Sequence, residues 1–334
     1  MTSNPPVSQN PSSPPSKPPY KDMVWIPWGT FQMGSNSRKY PEEGPIHTVT
    51  VSGFWMDKYL VTNKQFEQFV KETGYITFAE KAPKAEDYPN ADPEMLIPGS
   101  AVFIKPDRPV DPRTLCWWQY VEGANWRHPE GKGSSIKNRE NHPVVHIVYE
   151  DALAYANWAG KQLPTEAQWE FAARGGLEGT EFAWGNEFMP NGKVMANTWK
   201  GQFPWQNLKP HPPCAEAVGN YPPNGYGLYD MIGNVWEWTQ DWYREQHPKN
   251  PAKACCTPKN PRGGAEEESY DLKIDPSMRK PRKVLKGGSF LCAPNYCARY
   301  RPAARYPEDI DTSTNHIGFR TIVYSLDFEC RVSR

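Results

Sequence analysis

Apolar positions alternate with polar ones in short runs along much of this chain, and three stretches carry the wider spacing of a helix. Met23-Val-Trp-Ile-Pro-Trp-Gly-Thr-Phe-Gln-Met-Gly34 reads as a strand, a glycine turn and a second strand, a hairpin. Glu42-Glu-Gly-Pro45 is a turn, and His47-Thr-Val-Thr-Val51 alternates as a strand. Thr62 and Gln65 form a capping box, N-cap hydroxyl and a glutamine three residues on. It opens a helix to about Glu72, with Phe66, Phe69 and Val70 on one face and Gly74 beyond its end. Glu150 to Ala159 is a second helix. Thr165 and Gln168 cap a third, which runs through Ala173 and stops at Gly175-Gly176.

The rest is irregular. Residues 1–20 are rich in Pro, Ser and Asn and carry too few large apolar side chains to offset the entropy of ordering, so they read as a disordered tail. One domain over 21–325 and a frayed tail over 326–334 complete the division. Residues 79–142 show no period; Cys116-Trp117-Trp118 and Asn125-Trp126-Arg127 are their apolar anchors, and they read as part of a groove wall. His142-Pro-Val-Val-His146 looks like a metal pair, but the run reads as extended. Four strand residues span roughly 13 Å, too far for two imidazoles to share an ion. Both histidines are expected to be structural. Residues 244–283 read as a charged loop holding Cys255-Cys256, and Cys116, Cys214 and Cys330 as plain loop residues.

Composition narrows the class. Lys+Arg and Asp+Glu are both 38 in 334 residues, which argues against a nucleic-acid or anionic-membrane binder. Pro 36, Gly 25 and Trp 14 predict a loop-rich chain held by aromatic anchors. No run of about 18 apolar residues exists, so no membrane helix is expected. The first residues lack the charged and apolar regions of a secretory signal. Seven scattered cysteines do not read as a disulfide framework, and the cytoplasm is the expected compartment.

The candidate chemistry lies in Lys286-Gly-Gly-Ser289-Phe-Leu-Cys292-Ala-Pro-Asn-Tyr296-Cys297. Neither a strand nor a helix lets two sulfurs at this spacing reach one atom. Ala293-Pro294-Asn295-Tyr296 is a turn signal that would close the pair. Two readings stand side by side: buried cysteines or a small disulfide holding a loop, or a reactive pair or soft-metal site. Two thiolates without further Cys or His partners suit Cu(I) better than zinc.

The segment from Lys286-Gly-Gly-Ser-Phe-Leu-Cys292 through Tyr-Cys297, Arg-Tyr-Arg, Ala-Ala-Arg305 and Gly-Phe-Arg320 resembles the C-terminal signature of the formylglycine-generating enzymes, the sulfatase-modifying factors. The resemblance runs from about residue 22 to 323. Leu163-Pro-Thr-Glu-Ala-Gln-Trp-Glu-Phe-Ala-Ala-Arg-Gly-Gly176 is similar to a hallmark of the whole superfamily, non-enzymes included. The family's pseudo-enzymes lack the cysteine pair that this chain keeps. Pro302 and Thr321 stand where exported relatives often carry Cys.

What the resemblance implies can be stated residue by residue. The fold would be a single α/β (α+β) loop-rich domain, a variant of the C-type-lectin-like fold. The activity would be oxidation by O₂ of the cysteine in a sulfatase Cys-X-Pro-X-Arg segment to Cα-formylglycine, with an unfolded sulfatase polypeptide as partner and a monomer as the working state. Cys292 and Cys297 match the copper-binding pair, Ser289 the active-site serine, and Tyr296 and Trp236 residues near substrate and oxygen. Arg305 matches a supporting arginine. Asp230, Gly233, Val235 and Glu237 match a calcium loop, two carboxylates and two carbonyls. A second calcium site would begin at Asn197 and Thr198. Its later ligands come from an Asp-Gly-Phe-like segment, where this chain has Leu208-Lys-Pro-His-Pro-Pro-Cys214, so the resemblance leaves that site open. The alternative is a non-catalytic peptide- or protein-binding module on the same fold.

Overall fold

Helices begin where the capping boxes stand. In this computed structural model, which describes residues 14, 17–89, 91–248 and 257–324, helix α1 spans Asn63–Thr73. The Thr62 hydroxyl accepts from the Gln65 N–H, and the Gln65 side chain accepts from the Thr62 N–H at 2.9 Å. Gly74 ends the helix at φ 69°, a left-handed conformation that costs glycine little. Helix α2 (Tyr149–Trp158) has no capping hydroxyl; Asp151 accepts from the Val148 N–H at 3.1 Å instead. Helix α3 (Glu166–Arg174) carries the second box, with Thr165 N–H to Gln168 Oε1 at 2.9 Å and Gln168 N–H to Thr165 Oγ1 at 3.1 Å.

All nine residues of α3 are buried, its charged ones included. Buried charge is tolerable only when paired. Glu170 meets Arg174 at 2.7 Å and Lys286 at 3.1 Å, and Glu166 meets Arg305 at 2.8 Å. The helix is therefore an internal post, wired by ions to the sheet that carries the cysteines.

The expected hairpin over 23–34 does not form. Strand β1 (Met23–Ile26) pairs antiparallel with β4 (Phe54–Asp57), and β2 (Gly29–Met33) pairs antiparallel with β3 (His47–Val51). Pro27 in the link has no N–H for a hairpin ladder, and each run finds a partner farther along the chain. Strand β5 (Gly99–Phe103) and β6 (Trp118–Glu122) form an antiparallel pair inside the stretch expected to be irregular. The larger sheet holds β7 (Trp236–Trp242), β8 (Arg282–Lys286), β9 (Arg305–Asp309) and β10 (Ile317–Gly318) in the order β10-β7-β8-β9. Strand β11 (Ile322–Tyr324) returns to the free side of β4.

The run His142–Tyr149 is not a strand either: His146 has φ 61° and bends the chain. Its ring nitrogens bond Ser100 Oγ at 2.7 Å and the Pro129 carbonyl at 2.9 Å, while the His142 ring bonds the Ala215 carbonyl at 2.9 Å. Burial pushes His146 down to about 4, so it is neutral. Both histidines act in packing.

One apolar cluster joins the three helices to the sheets, with Phe66, Trp169, Trp238 and Phe319 at its centre. A second cluster, Phe103, Trp117, Trp199, Phe203, Phe290, Leu291 and Ala293, lies against the cysteine segment. Among the described residues no helix is long and apolar enough to cross a membrane. Most of the expected N-terminal tail, the Cys255-Cys256 pair, Cys330 and the expected C-terminal fray lie outside the described residues.

Candidate active site

Strand β8 delivers the chain to Gly287 and Gly288, both at positive φ. At Gly288 a Cβ would sit 2.9 Å from the Arg299 carbonyl, so only glycine lets the two limbs of the loop close. The turn signal reads correctly: the Tyr296 N–H donates to the Ala293 carbonyl at 3.1 Å. Asn295 pins the turn to the neighbouring loop by bonds to the Phe203 N–H at 3.3 Å and carbonyl at 3.1 Å.

This turn brings the Cys292 and Cys297 sulfurs to 3.0 Å. Both cysteines are free thiols, and the separation is well above the ~2.05 Å of a disulfide bond. Cys292 is 1 % exposed, whereas Cys297 is half-buried. Burial alone would raise the Cys292 thiol. The hydrogen bond from Cys297, backbone bonds from Ser289 and Arg299 and the Arg299 charge outweigh it and bring Cys292 below the ordinary value. Cys297 is pushed well above, first by the proton it holds on Cys292 and then by burial. The first proton of the pair leaves below the ordinary thiol value and the second well above it. A soft cation between the sulfurs would supply the charge that the second ionisation needs.

Ser289 is fully buried behind the turn, and its hydroxyl accepts from the Leu291 N–H at 3.2 Å. Tyr296, 37 % exposed, stacks on Phe203 at 4.4 Å between centroids and meets the edge of Trp117 at 5.7 Å. Trp117, just before β6, therefore touches the cysteine turn. Trp236 is buried at the start of β7, with Tyr306 of β9 at 5.7 Å.

Three participants were not singled out in the sequence. Tyr306, 39 % exposed, rests on Trp236 and under the Arg299 guanidinium at 5.1 Å. Burial raises its hydroxyl and so does the charge on Cys297. Arg299 lies between the Tyr40 and Tyr306 rings, pairs with Glu42, and keeps a buried Nε without a partner. The Tyr40 hydroxyl accepts from the Ala298 N–H at 3.0 Å, and Glu43 binds both ends of the Arg301 guanidinium. The Tyr40–Glu43 turn thus clasps the chain just after Cys297. Only the alternation of Arg299 and Arg301, set against Glu42-Glu43, hinted at this in the sequence.

Arg305 sits apart from the thiols. It is 2 % exposed and committed to Glu166, with Nη1 also donating to the Arg244 carbonyl at 2.8 Å. It props β9 from behind, in the supporting position that the resemblance gives it, and offers almost no surface to a substrate.

The calcium-loop residues lie behind β7. Asp230 and Gly233 take φ 53° and 77°. Asp230 Oδ2 accepts from the Gly219 N–H at 2.7 Å. Burial first, then the charges of Glu237 and Glu216, raise Asp230 to about 6 despite Arg320. Glu237 is fully buried and takes Arg320 at 2.7 and 3.0 Å and the Trp169 indole N–H at 2.9 Å, leaving part of one oxygen free. Val235 is buried beside them. Two carboxylates with the Gly233 and Val235 carbonyls make an all-oxygen donor set, the kind a hard cation takes.

The matching family model is the sulfatase-modifying factor enzyme 1-like domain, and it covers residues 8–324. The chain belongs to the formylglycine-generating enzyme family. The formylglycine-generating enzyme of Mycobacterium tuberculosis is 49 % identical over 304 residues, 90 % of this chain and 97 % of that protein. The mouse enzyme is 44 % identical over 89 % of this chain and 74 % of its own length. An inactive Cα-formylglycine-generating enzyme 2 from Bos taurus is 42 % identical over 90 % of this chain and 87 % of its own. Family membership therefore spans active and inactive proteins, and activity has to be argued from the cysteine turn. Among solved structures, PvdO from Pseudomonas aeruginosa superposes with a TM-score of 0.60 at 22 % identity, covering 92 % of this chain and 96 % of that one. That likeness shows the fold, the loop-rich single domain of mixed short helices and sheets.

Proposed function

We propose that this chain oxidises the cysteine of a sulfatase Cys-X-Pro-X-Arg segment to Cα-formylglycine with O₂, and so activates sulfatases. The observation that carries the reading is the free Cys292–Cys297 pair at 3.0 Å, one thiol buried and the other half-buried beside a partly exposed tyrosine. A binding module has no use for two juxtaposed reactive thiols. Kinship with formylglycine-generating enzymes supports the substrate class.

The thiolates of Cys292 and Cys297 would hold Cu(I), which supplies the one-electron chemistry with O₂ that protein side chains lack. The rest falls to the chain. Tyr296 and Tyr306 border Cys297 and would orient the peptide, while Trp236 backs Tyr306. Arg299 offsets the negative charge that gathers at the sulfurs. Asp230, Gly233, Val235 and Glu237 would hold one Ca²⁺ behind β7. In the overall reaction the substrate Cβ–H and S–H are lost. Water adds to the resulting thioaldehyde and H₂S leaves. Two electrons of O₂ reduction to water come from this step, and two from a thiol reductant.

Mass spectrometry of a Cys-X-Pro-X-Arg peptide, incubated with reduced protein, Cu(I), dithiothreitol and air, tests the proposal. Thiol should be replaced by aldehyde with wild type and left intact with Cys292→Ala. An unchanged peptide with copper bound would exclude this substrate motif. Absence of copper binding would favour the binding module.

A further inference from the structure

The loop 197–199 is fastened to the cysteine turn from below. The Trp199 N–H donates to the Cys292 carbonyl at 3.0 Å, and the Asn234 N–H donates to the Asn197 carbonyl at 2.8 Å. Asn197 Nδ2 donates to Asn234 Oδ1 and to the Cys214 carbonyl, both at 3.1 Å. One atom of Asn197 remains, its side-chain oxygen, and it faces the Lys209 ammonium. The same ammonium lies 3.0 Å from Glu216 Oε1, with the lysine and glutamate side chains only 15 % and 17 % exposed. Glu216 in turn takes the Tyr221 hydroxyl at 2.9 Å and lies 3.5 Å from the His211 ring. Burial alone would raise the Glu216 carboxyl; Lys209 and Tyr221 outweigh it and hold it below the ordinary value.

Asn197 is where the resemblance would begin a second calcium site, and its surroundings do not fit one. The side chain that reaches its oxygen and that of Glu216 is itself a cation. An ammonium bonding both oxygens fills the position where a metal would stand and repels a divalent charge there. Its three N–H donors satisfy acceptors much as an ion would. We infer that Lys209 takes the place of a divalent cation between Asn197 and Glu216, so that an internal side chain staples loop 197–199 to the 209–216 segment and the chain binds no metal there. The inference is independent of copper and of substrate.

Native mass spectrometry of calcium-equilibrated wild type and Glu216→Gln, with thermal melts of Lys209→Met and Lys209→Arg, tests it. Wild type and Glu216→Gln should carry the same number of calcium ions. Lys209→Met should melt lower by about 3 °C or more, whether or not calcium is present, and Lys209→Arg should recover part of the loss. One ion fewer in Glu216→Gln than in wild type would overturn the inference, because Glu216 would then be a metal ligand. A Lys209→Met melt equal to wild type would overturn the staple. If Lys209→Met fails to fold, the ion count in Glu216→Gln still decides.

Discussion

Tyr296 and Tyr306 border the thiol pair from opposite packing environments. Tyr296 is wedged against Phe203 and Trp117, whereas Tyr306 lies on Trp236 with Arg299 above it. Neither is a ligand candidate, and each stays partly exposed where a peptide could meet it. Removing the Tyr306 ring should cost about 1 kcal/mol of binding, a rise of about fivefold in KM for the peptide, with kcat close to wild type. Steady-state kinetics of Tyr306→Ala would check this. A fall in kcat at unchanged KM would give Tyr306 a role in the chemistry instead. The cysteine pair itself was legible, because Pro294-Asn295 announces a turn whatever surrounds it. Tyr306 was not, because nothing near it in the chain shows that β9 lies beside β8 and turns a ring toward Cys297.

Helix α3 shows the same division at the next level. Its start and stop follow from Thr165, Gln168 and Gly175, a local code that tertiary contacts did not override. Its total burial could not be read from spacing, since glutamates and an arginine normally mark an outer face. They are inside because Glu166 and Glu170 each meet a cation from the sheet, and Arg174 pairs with Glu170 within the helix. The hairpin over 23–34 failed for a related reason: strand existence is local, but partner choice belongs to the whole sheet. Strands β5 and β6 were hidden because fourteen residues, 104–117, separate them. The ion network carries a pH prediction. Burial would raise Glu170, but Lys286 and Arg174 lower it from 4.5 to about 2. A lowered carboxylate contributes stability above its unfolded value and loses it as pH falls from 4.5 through 2. Urea midpoints should therefore drop on acidification across that window. Glu170→Gln should be less stable at pH 7 by roughly 3 kcal/mol and should show a shallower acid loss. An acid profile identical to wild type would remove Glu170 from the linkage.

Across the molecule, the largest apolar cluster contains residues from the first strand to the last, Ile26 and Ile322 among them. Strand β4 has β1 on one side and β11 on the other, so the two ends of the domain share one sheet. The aromatic cluster under the cysteine turn is smaller but is tied to this core through Asn234 and Cys292. Unfolding should accordingly be one transition, with tryptophan fluorescence and far-UV circular dichroism tracing the same denaturant midpoint. Two resolved midpoints would mean that the cysteine-side cluster opens by itself.

The clasp of Arg301 by Glu43 spans 258 positions of sequence. On the ribosome the acidic half of that clasp emerges early and the cysteine turn emerges late. No nascent chain shorter than about residue 305 can complete the ring of contacts around Cys297, whatever its earlier strands have done. The thiol pair is thus assembled only after the chain has been made to about that residue. Incomplete products of synthesis carry Cys292 and Cys297, if at all, as ordinary cysteines.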